Sequence, residues 1–394
     1  MPRTDLLQRL AASHAERARQ ALLRRLRTVE AVDGPRVVID GKTLVNFASN
    51  DYLGLAQHPA LAQALARAAS RWGVGAGAAH LLGGHREEHA ALEHALADWT
   101  GRERALVFST GYMANLGVLG ALLRDGDLCV QDKLNHASLI DGARYAGADL
   151  RRYAHLDGAH AARLLAADER PALLATDGVF SMDGDVAPLR ALATACREHH
   201  ATLLVDDAHG LGVLGPRGAG SLAEAGVEDR DAPVLMATLG KALGVAGAFV
   251  AGSAALIDGL VQFARTFVFT TAIPPALAAA AAAAVAVARE EEWRREKLAS
   301  LIARLRSGAA ELGIALLPSC TPIQGVLAGS ARDALRLSVQ MENAGFYTPA
   351  IRPPTVPKGK ARLRIALSAA HEPDDVDRLL AALAKALRSA TAAA

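Results

Sequence analysis

A lone lysine in an apolar, glycine-rich stretch has few chemical uses, and ATLGKALGVAGAF, residues 237–249, holds one at Lys241. Taking an ammonium group out of water is costly, and the same cost lowers its pKa, so that a neutral, nucleophilic amine becomes accessible near neutral pH. Such an amine forms Schiff bases with aldehydes and ketones. The competing reading is a surface lysine in a flexible loop, and other residues must decide between the two.

If the lysine carries pyridoxal phosphate, further parts are required. The pyridinium nitrogen stays protonated only beside a carboxylate, and Asp206 ends the apolar run TLLVDD. The phosphate needs N–H groups at a helix start together with hydroxyls. Ser109, Thr110, Gly111 and Tyr112 stand before the helical run MANLGVLGALL, and Thr238 lies three residues before Lys241. The flat ring needs a stacking partner and its phenolic oxygen a donor, roles open to His136 in DKLNHASL and His209 in DDAHG. Singly, the aspartate reads as a helix cap and each histidine as a solvated loop residue. Together they form one constellation.

These residues need a scaffold. The runs ALVFST (105–110), LCVQD (128–132), ALLATDGVF (172–180), TLLVDDAH (202–209) and VLMATLG (234–240) alternate with alanine- and leucine-rich helical stretches. That alternation predicts an α/β domain with a largely parallel sheet, which binds ligands at the carboxyl ends of its strands. Every run ends in polar or glycine residues. Pattern changes predict an N-terminal helix and arm over 1–50, a large cofactor-binding domain over 51–288 and a small α+β domain over 289–394. The run AIPPALAAAAAAAVAVA (272–288) is too weakly apolar to span a bilayer. It predicts a long helix opening at Pro274 and Pro275, with REEEWRREK as its solvated end. The arginine-rich opening stretch, interrupted by Asp5 and Glu16, predicts an amphipathic helix rather than a transit peptide.

Composition narrows the partners. Among 394 residues, 43 basic side chains balance 41 acidic ones, so neither nucleic acid nor an anionic membrane is expected as the main partner. A small metabolite fits better. Cys129, Cys196 and Cys320 are odd in number and widely spaced, which indicates neither a disulfide framework nor a zinc site and points to a reducing cytoplasm. GLGVLG (210–215) fits a dinucleotide pattern, but ProArgGlyAlaGly follows where a helix should begin. HREEH (85–89) fits a zinc-hydrolase pattern, yet it reads better as a solvated helix start; no metal is expected.

The ordered set STGYMAN, DKLNHASL, DGVFSMDGD, VDDAHGLGVLG and TLGKALGVAGAF resembles the α-oxoamine synthase family of fold-type I pyridoxal phosphate enzymes. The likeness extends through VNFASNDYLGL (45–55), FTTAIPP (269–275) and AIRPPTVPKGKARLRIALSAAH (350–371). It implies a fold-type I transferase with a mostly parallel sheet in the large domain and a smaller C-terminal α+β domain. By position, Lys241 resembles the Schiff-base lysine, Asp206 the pyridinium partner, His136 the stacked ring that also borders the substrate, and His209 the donor to the phenolic oxygen. Gly111, Tyr112, Ser181 and Thr238 resemble the remaining cofactor contacts. Arg364 resembles the arginine for the amino-acid carboxylate, and Arg24, Asn50 and Thr355 resemble further substrate contacts. Thr270 and Thr271 would reach the phosphate in a neighbouring subunit, which implies a homodimer with shared sites.

Four condensations share these parts. The 350–371 segment and NDYLGLAQHP most resemble the branch joining L-alanine to a pimeloyl thioester, carried by CoA or by a carrier protein, with glycine C-acetylation as the alternative. The chain departs from the family pattern at GAGAAHLLGGHREEH (75–89), which places His80 and His85 in a loop where relatives vary, so the resemblance speaks less to acyl-chain choice than to the cofactor. A non-catalytic partner subunit of the same fold would be expected to lack the lysine.

Overall fold

The computed structural model describes Arg3 and residues 5–391. Two compact units result: one comprises Asn50–Ser181 and Asp185–Glu296, the other the chain up to Ser49, Met182–Gly184, and the chain from Lys297 onward.

The larger unit is built on seven strands in the order Arg104–Phe108, Ala248–Gly252, Val234–Thr238, Thr202–Asp206, Ala172–Asp177, Leu128–Asp132 and Asp149–Tyr153. Ala248–Gly252 runs antiparallel to both neighbours, while the other pairings are parallel. A sheet covered on both faces needs strands that are apolar at every position, and successive side chains here divide between two cores. Leu204 and Met236 pack with Val118, Leu119 and Ile257 on one face, whereas Leu203, Val205 and Leu235 meet Ala161 and Leu192 on the other. The parallel α/β sheet read from the sequence is the one that forms.

The alanine run forms the helix Pro275–Glu290, with Pro274 as its cap and Pro275 as its first residue. Its small side chains let it lie against the helices Pro59–Trp72 and Glu87–Thr100. The segment after it is not the solvated end expected. The helix stops at Glu290, a second helix begins at Trp293, and two arginines at the start of that second helix turn inward. Arg294 donates to the Leu53 carbonyl at 2.9 Å and buried Arg295 to the Ala288 carbonyl. Carbonyls at a helix end lack intrahelical donors, and Arg295 supplies one to the helix that stops at Glu290. Among the described residues no helix is long and apolar enough to cross a membrane.

In the smaller unit, Asp5 caps the helix Leu6–Arg19, which has no buried residue. The strands Val29–Asp33, Arg36–Ile39 and Lys42–Asn46 form a meander whose last member pairs in parallel with Phe346–Tyr347. This pairing places the amino-terminal arm in one sheet with a carboxy-terminal strand. A second sheet joins Ile323–Gly329, Ala361–Ala366 and Ala350–Ile351, packed by the helix Ala331–Asn343.

Two helices of the larger unit approach each other closely. Gly111–Leu122 and Ala137–Tyr145 touch at Gly142, where an added Cβ would lie 2.5 Å from a Leu119 methyl and 3.2 Å from the Asn115 carbonyl oxygen. Gly142→Val should therefore overpack the contact and destabilise the protein by about 1–3 kcal/mol in urea unfolding. A change below ~0.5 kcal/mol, typical of an open surface, would show that the two helices are not held together there.

Candidate active site

Parallel strands deliver their carboxyl ends to one edge, and here that edge is acidic. Asp177 and Asp206 are direct neighbours across adjacent strands, and Asp207 follows. Each is held by a different donor. Asp206 Oδ2 accepts from Asn115 Nδ2 at 2.8 Å and its Oδ1 from the Ala208 N–H at 3.1 Å. Asp177 accepts the His136 N–H at 2.7 Å, and Asp207 the Ser221 N–H at 2.7 Å. Burial raises the pKa of Asp177, and the charge of Asp206 raises it further. Burial pushes Asp207 up to about 7. Lys241 lies close enough for its charge to oppose both shifts.

Asn115, fully buried in the middle of the Gly111–Leu122 helix, links this edge to His136. Its amide nitrogen donates both to Asp206 and to Ser138 Oγ, each at 2.8 Å, and Ser138 Oγ lies 2.7 Å from His136 Nδ1. Since Ser138 Oγ accepts from Asn115, its hydrogen is left for Nδ1, to which the Ser138 N–H also donates at 3.3 Å. Nδ1 is then the acceptor, and the ring proton sits on Nε2. Burial holds the His136 pKa below the ordinary histidine value against the pull of Asp206, so the ring is neutral at pH 7. Neither Asn115 nor Ser138 stood out in the sequence.

Lys241 is half-buried rather than enclosed. It follows the strand Val234–Thr238 in a tight turn, with the Gly244 N–H on the Lys241 carbonyl at 2.8 Å and the Val245 N–H on the Leu239 carbonyl at 2.9 Å. Gly244 has φ +66°, and a Cβ there would lie 2.4 Å from the Ala56 nitrogen, which accounts for the glycine beside the lysine. The lysine Nζ is 2.8 Å from His209 Nε2, and His209 Nδ1 is 2.7 Å from the hydroxyl of buried Tyr52, which donates to Asn50 Oδ1 at 3.2 Å. With its hydrogen on Asn50, the Tyr52 oxygen accepts from His209 Nδ1–H, leaving Nε2 to accept from Nζ. Tyr52 is another member of the site that sequence reasoning passed over, although NDYLGL contains it.

The remaining positions are distributed as follows. Thr110 caps its helix by accepting the Met113 N–H at 3.2 Å, while the Gly111 and Tyr112 N–H groups belong to the first turn, where helices have no internal acceptor. The Tyr112 side chain is exposed and donates to Asp141, with its ring centroid 6.4 Å from that of His136. Thr238 Oγ1 donates to the Gly247 carbonyl at 3.0 Å. Ser181 is half-buried beyond the strand Ala172–Asp177. Thr271 makes an isolated antiparallel bridge with Ala79, and Thr270 precedes it. In the smaller unit, Arg24 donates to Thr355 Oγ1 at 3.0 Å in a cleft of about 590 Å3, and Arg364 is buried on the strand Ala361–Ala366.

The donor set fits pyridoxal phosphate. A primary amine, a flat neutral imidazole, a helix start with hydroxyls, and a carboxylate with acceptor capacity beyond its two present donors are the groups that this cofactor needs. The two competing patterns fail on geometry. No helix opens within GLGVLG, where Gly212 and Gly215 sit at φ +81° and +75°. HREEH does open a helix, Glu87–Thr100, with His85 and Glu87 exposed, but His89 is buried and both of its ring nitrogens are occupied, Nδ1 by the Arg86 N–H at 2.9 Å and Nε2 by the Ile273 carbonyl at 2.8 Å.

Asn115→Leu would keep the side chain's bulk and remove both of its bonds. The apoprotein's affinity for pyridoxal phosphate, followed by absorbance titration, should weaken about 10- to 100-fold, the usual worth of a hydrogen bond to a charged group. Unchanged affinity would show that Asp206 needs no such support.

Known proteins resemble this chain in sequence and in fold. The family model for aminotransferase class I and II matches residues 42–383. An 8-amino-7-oxononanoate synthase from Alkalilimnicola ehrlichii is 56% identical over 380 residues, covering 96% of this chain and 97% of its own. One from Pseudomonas putida is 54% identical, covering 95% and 96%. Among solved structures, a serine palmitoyltransferase from S. paucimobilis with a bound PLP–myriocin aldimine superposes with a TM-score of 0.93 at 29% identity, covering 98% and 99%. An 8-amino-7-oxononanoate synthase from Francisella tularensis gives 0.78 at 28% identity, covering 88% and 99%. The chain belongs to the 8-amino-7-oxononanoate synthase family, acyl-transferring enzymes that depend on pyridoxal phosphate, within aminotransferase class I and II.

Proposed function

We propose that this enzyme joins L-alanine to a pimeloyl thioester with loss of carbon dioxide, giving 8-amino-7-oxononanoate and a free thiol for biotin synthesis. The observation that carries this reading is the linkage of Asp206, Asn115, Ser138 and His136 at the same strand edge as Lys241, together with 56% identity to a synthase of that name. Serine palmitoyltransferase superposes with the higher TM-score, but shared architecture does not separate substrates.

When bound, pyridoxal phosphate supplies an aldehyde for an amine and a ring that withdraws electrons from the adjacent carbon. Lys241 would hold the aldehyde and move the Cα proton of alanine; its Nζ is hydrogen-bonded to His209 Nε2. Asp206 would keep a proton on the ring nitrogen, and Asn115 fixes the carboxylate that would do so. His136 offers a flat, uncharged face. His209 is assigned the phenolic oxygen, and Gly111, Tyr112, Ser181 and Thr238 the phosphate. Arg364, a two-pronged donor suited to carboxylates, takes that of alanine, with Arg24, Asn50 and Thr355 as further substrate contacts. Thr270 and Thr271 are assigned to the phosphate of a second subunit in a cytoplasmic homodimer.

The test incubates the protein, loaded with cofactor, with each amino acid and each acyl thioester, and measures thiol release. Alanine with pimeloyl-CoA or the pimeloyl carrier protein should be fastest. Faster release from glycine with acetyl-CoA would overturn the substrate assignment. Lys241→Ala should abolish turnover in every combination.

A further inference from the structure

His155 was not among the residues that the sequence singled out, yet both of its ring nitrogens are held by carboxylates. It follows the edge strand Asp149–Tyr153, with Nδ1 2.9 Å from Asp132 Oδ1 and Nε2 2.9 Å from Asp185 Oδ2. Ionised carboxylates only accept, and a neutral imidazole has one N–H. Two carboxylates at hydrogen-bond distance, one on each nitrogen, therefore call for the doubly protonated ring. Asp132 accepts two further hydrogen bonds, from the N–H groups of Leu134 at 2.7 Å and Leu156 at 2.9 Å.

The two aspartates stand at the roots of two loops of the site. Asp132 ends its strand and opens the loop to His136, which Asn135 braces by donating to the Ala175 carbonyl at 2.7 Å. Asp185 closes the loop containing Ser181: its carbonyl accepts the Phe180 N–H at 3.0 Å, next to the isolated bridge between Val179 and Val186. The geometry points to His155 as a positioning residue, whose imidazolium ties the loop carrying His136 to the loop carrying Ser181. This inference rests on the proposed cofactor site.

Among the described residues, three groups face the ring: Asp132, Asp185 and Phe180, whose ring makes a T-shaped contact with centroids 4.5 Å apart. The neighbouring basic side chains are turned elsewhere: Arg152 donates to the Lys133 carbonyl, and His160 Nδ1 accepts the Ala154 N–H at 3.1 Å. Burial alone would lower the ring's pKa, but the hydrogen bonds to Asp132 and Asp185 carry it up to about 10. Because this exceeds the ordinary 6.5, the clamp's contribution to stability is complete below that value and is lost as pH rises through about 10.

Histidine 15N NMR on the apoprotein, with His155→Gln to assign the signal, reads the ring directly. Both nitrogens should be protonated at pH 8, and Asp185→Asn should lower the titration midpoint by about one to three pH units. Absorbance titration with pyridoxal phosphate then compares the dissociation constants of Asp185→Asn and wild type. Their ratio should grow about tenfold between pH 7 and pH 9 as the variant's ring loses its proton. A ring already neutral at pH 8, or a ratio that stays constant, would overturn the proposal. Asp185→Asn keeps one partner and carries the test should His155→Gln fail to fold. Wild-type protein that takes up no cofactor would instead refute the cofactor reading, while the ring titration would still stand by itself.

Discussion

Like charges crowd at the carboxyl edge of the seven-stranded sheet, and most of the site consists of groups that make this crowding tolerable. Parallel strands of matched length bring Asp177 and Asp206 side by side, with Asp207 next in the chain. Water does not reach these carboxylates freely, so each needs donors from the protein. Asn115 serves Asp206, the His136 backbone serves Asp177, and the Ser221 backbone serves Asp207. Lys241 adds the nearby positive charge. An acidic edge of this kind suits a ligand that brings a cationic ring nitrogen.

The same arrangement explains why one asparagine couples so much. Its amide nitrogen has two hydrogens, and both are used, one on the carboxylate and one on the serine that sets the tautomer of His136. Carboxylate support at one end and ring orientation at the other thus depend on a single side chain, on a helix that approaches its neighbour closely at Gly142. A second chain of bonds, from Asn50 through Tyr52 and His209, ends on the lysine amine.

Much of this was legible in the sequence, for physical reasons. Buried parallel strands are apolar at every position, so five of the seven showed as uninterrupted runs, and their polar ends marked the edge where Lys241, Asp206, His136 and His209 gather. The other two were hidden. Asp149–Tyr153 is an edge strand carrying Asp149, Arg151 and Arg152, and Ala248–Gly252 was absorbed into the glycine-rich lysine segment. Asn115 lay inside an apolar helical run, where only its buried polarity could have betrayed it. Tyr52 and His155 act through partners remote in the chain, His209 and Asp185, and no local pattern announces such pairs. The pairing of Lys42–Asn46 with Phe346–Tyr347 joins segments some three hundred residues apart, which composition shifts cannot reveal.

We assign the cofactor to one amine, that of Lys241. Borohydride reduction of the coloured holoenzyme followed by peptide mass spectrometry tests this assignment most directly. A single phosphopyridoxyl adduct is expected, on the peptide containing ATLGKALGVAGAF. An adduct on any other lysine, with that peptide unmodified, would contradict it.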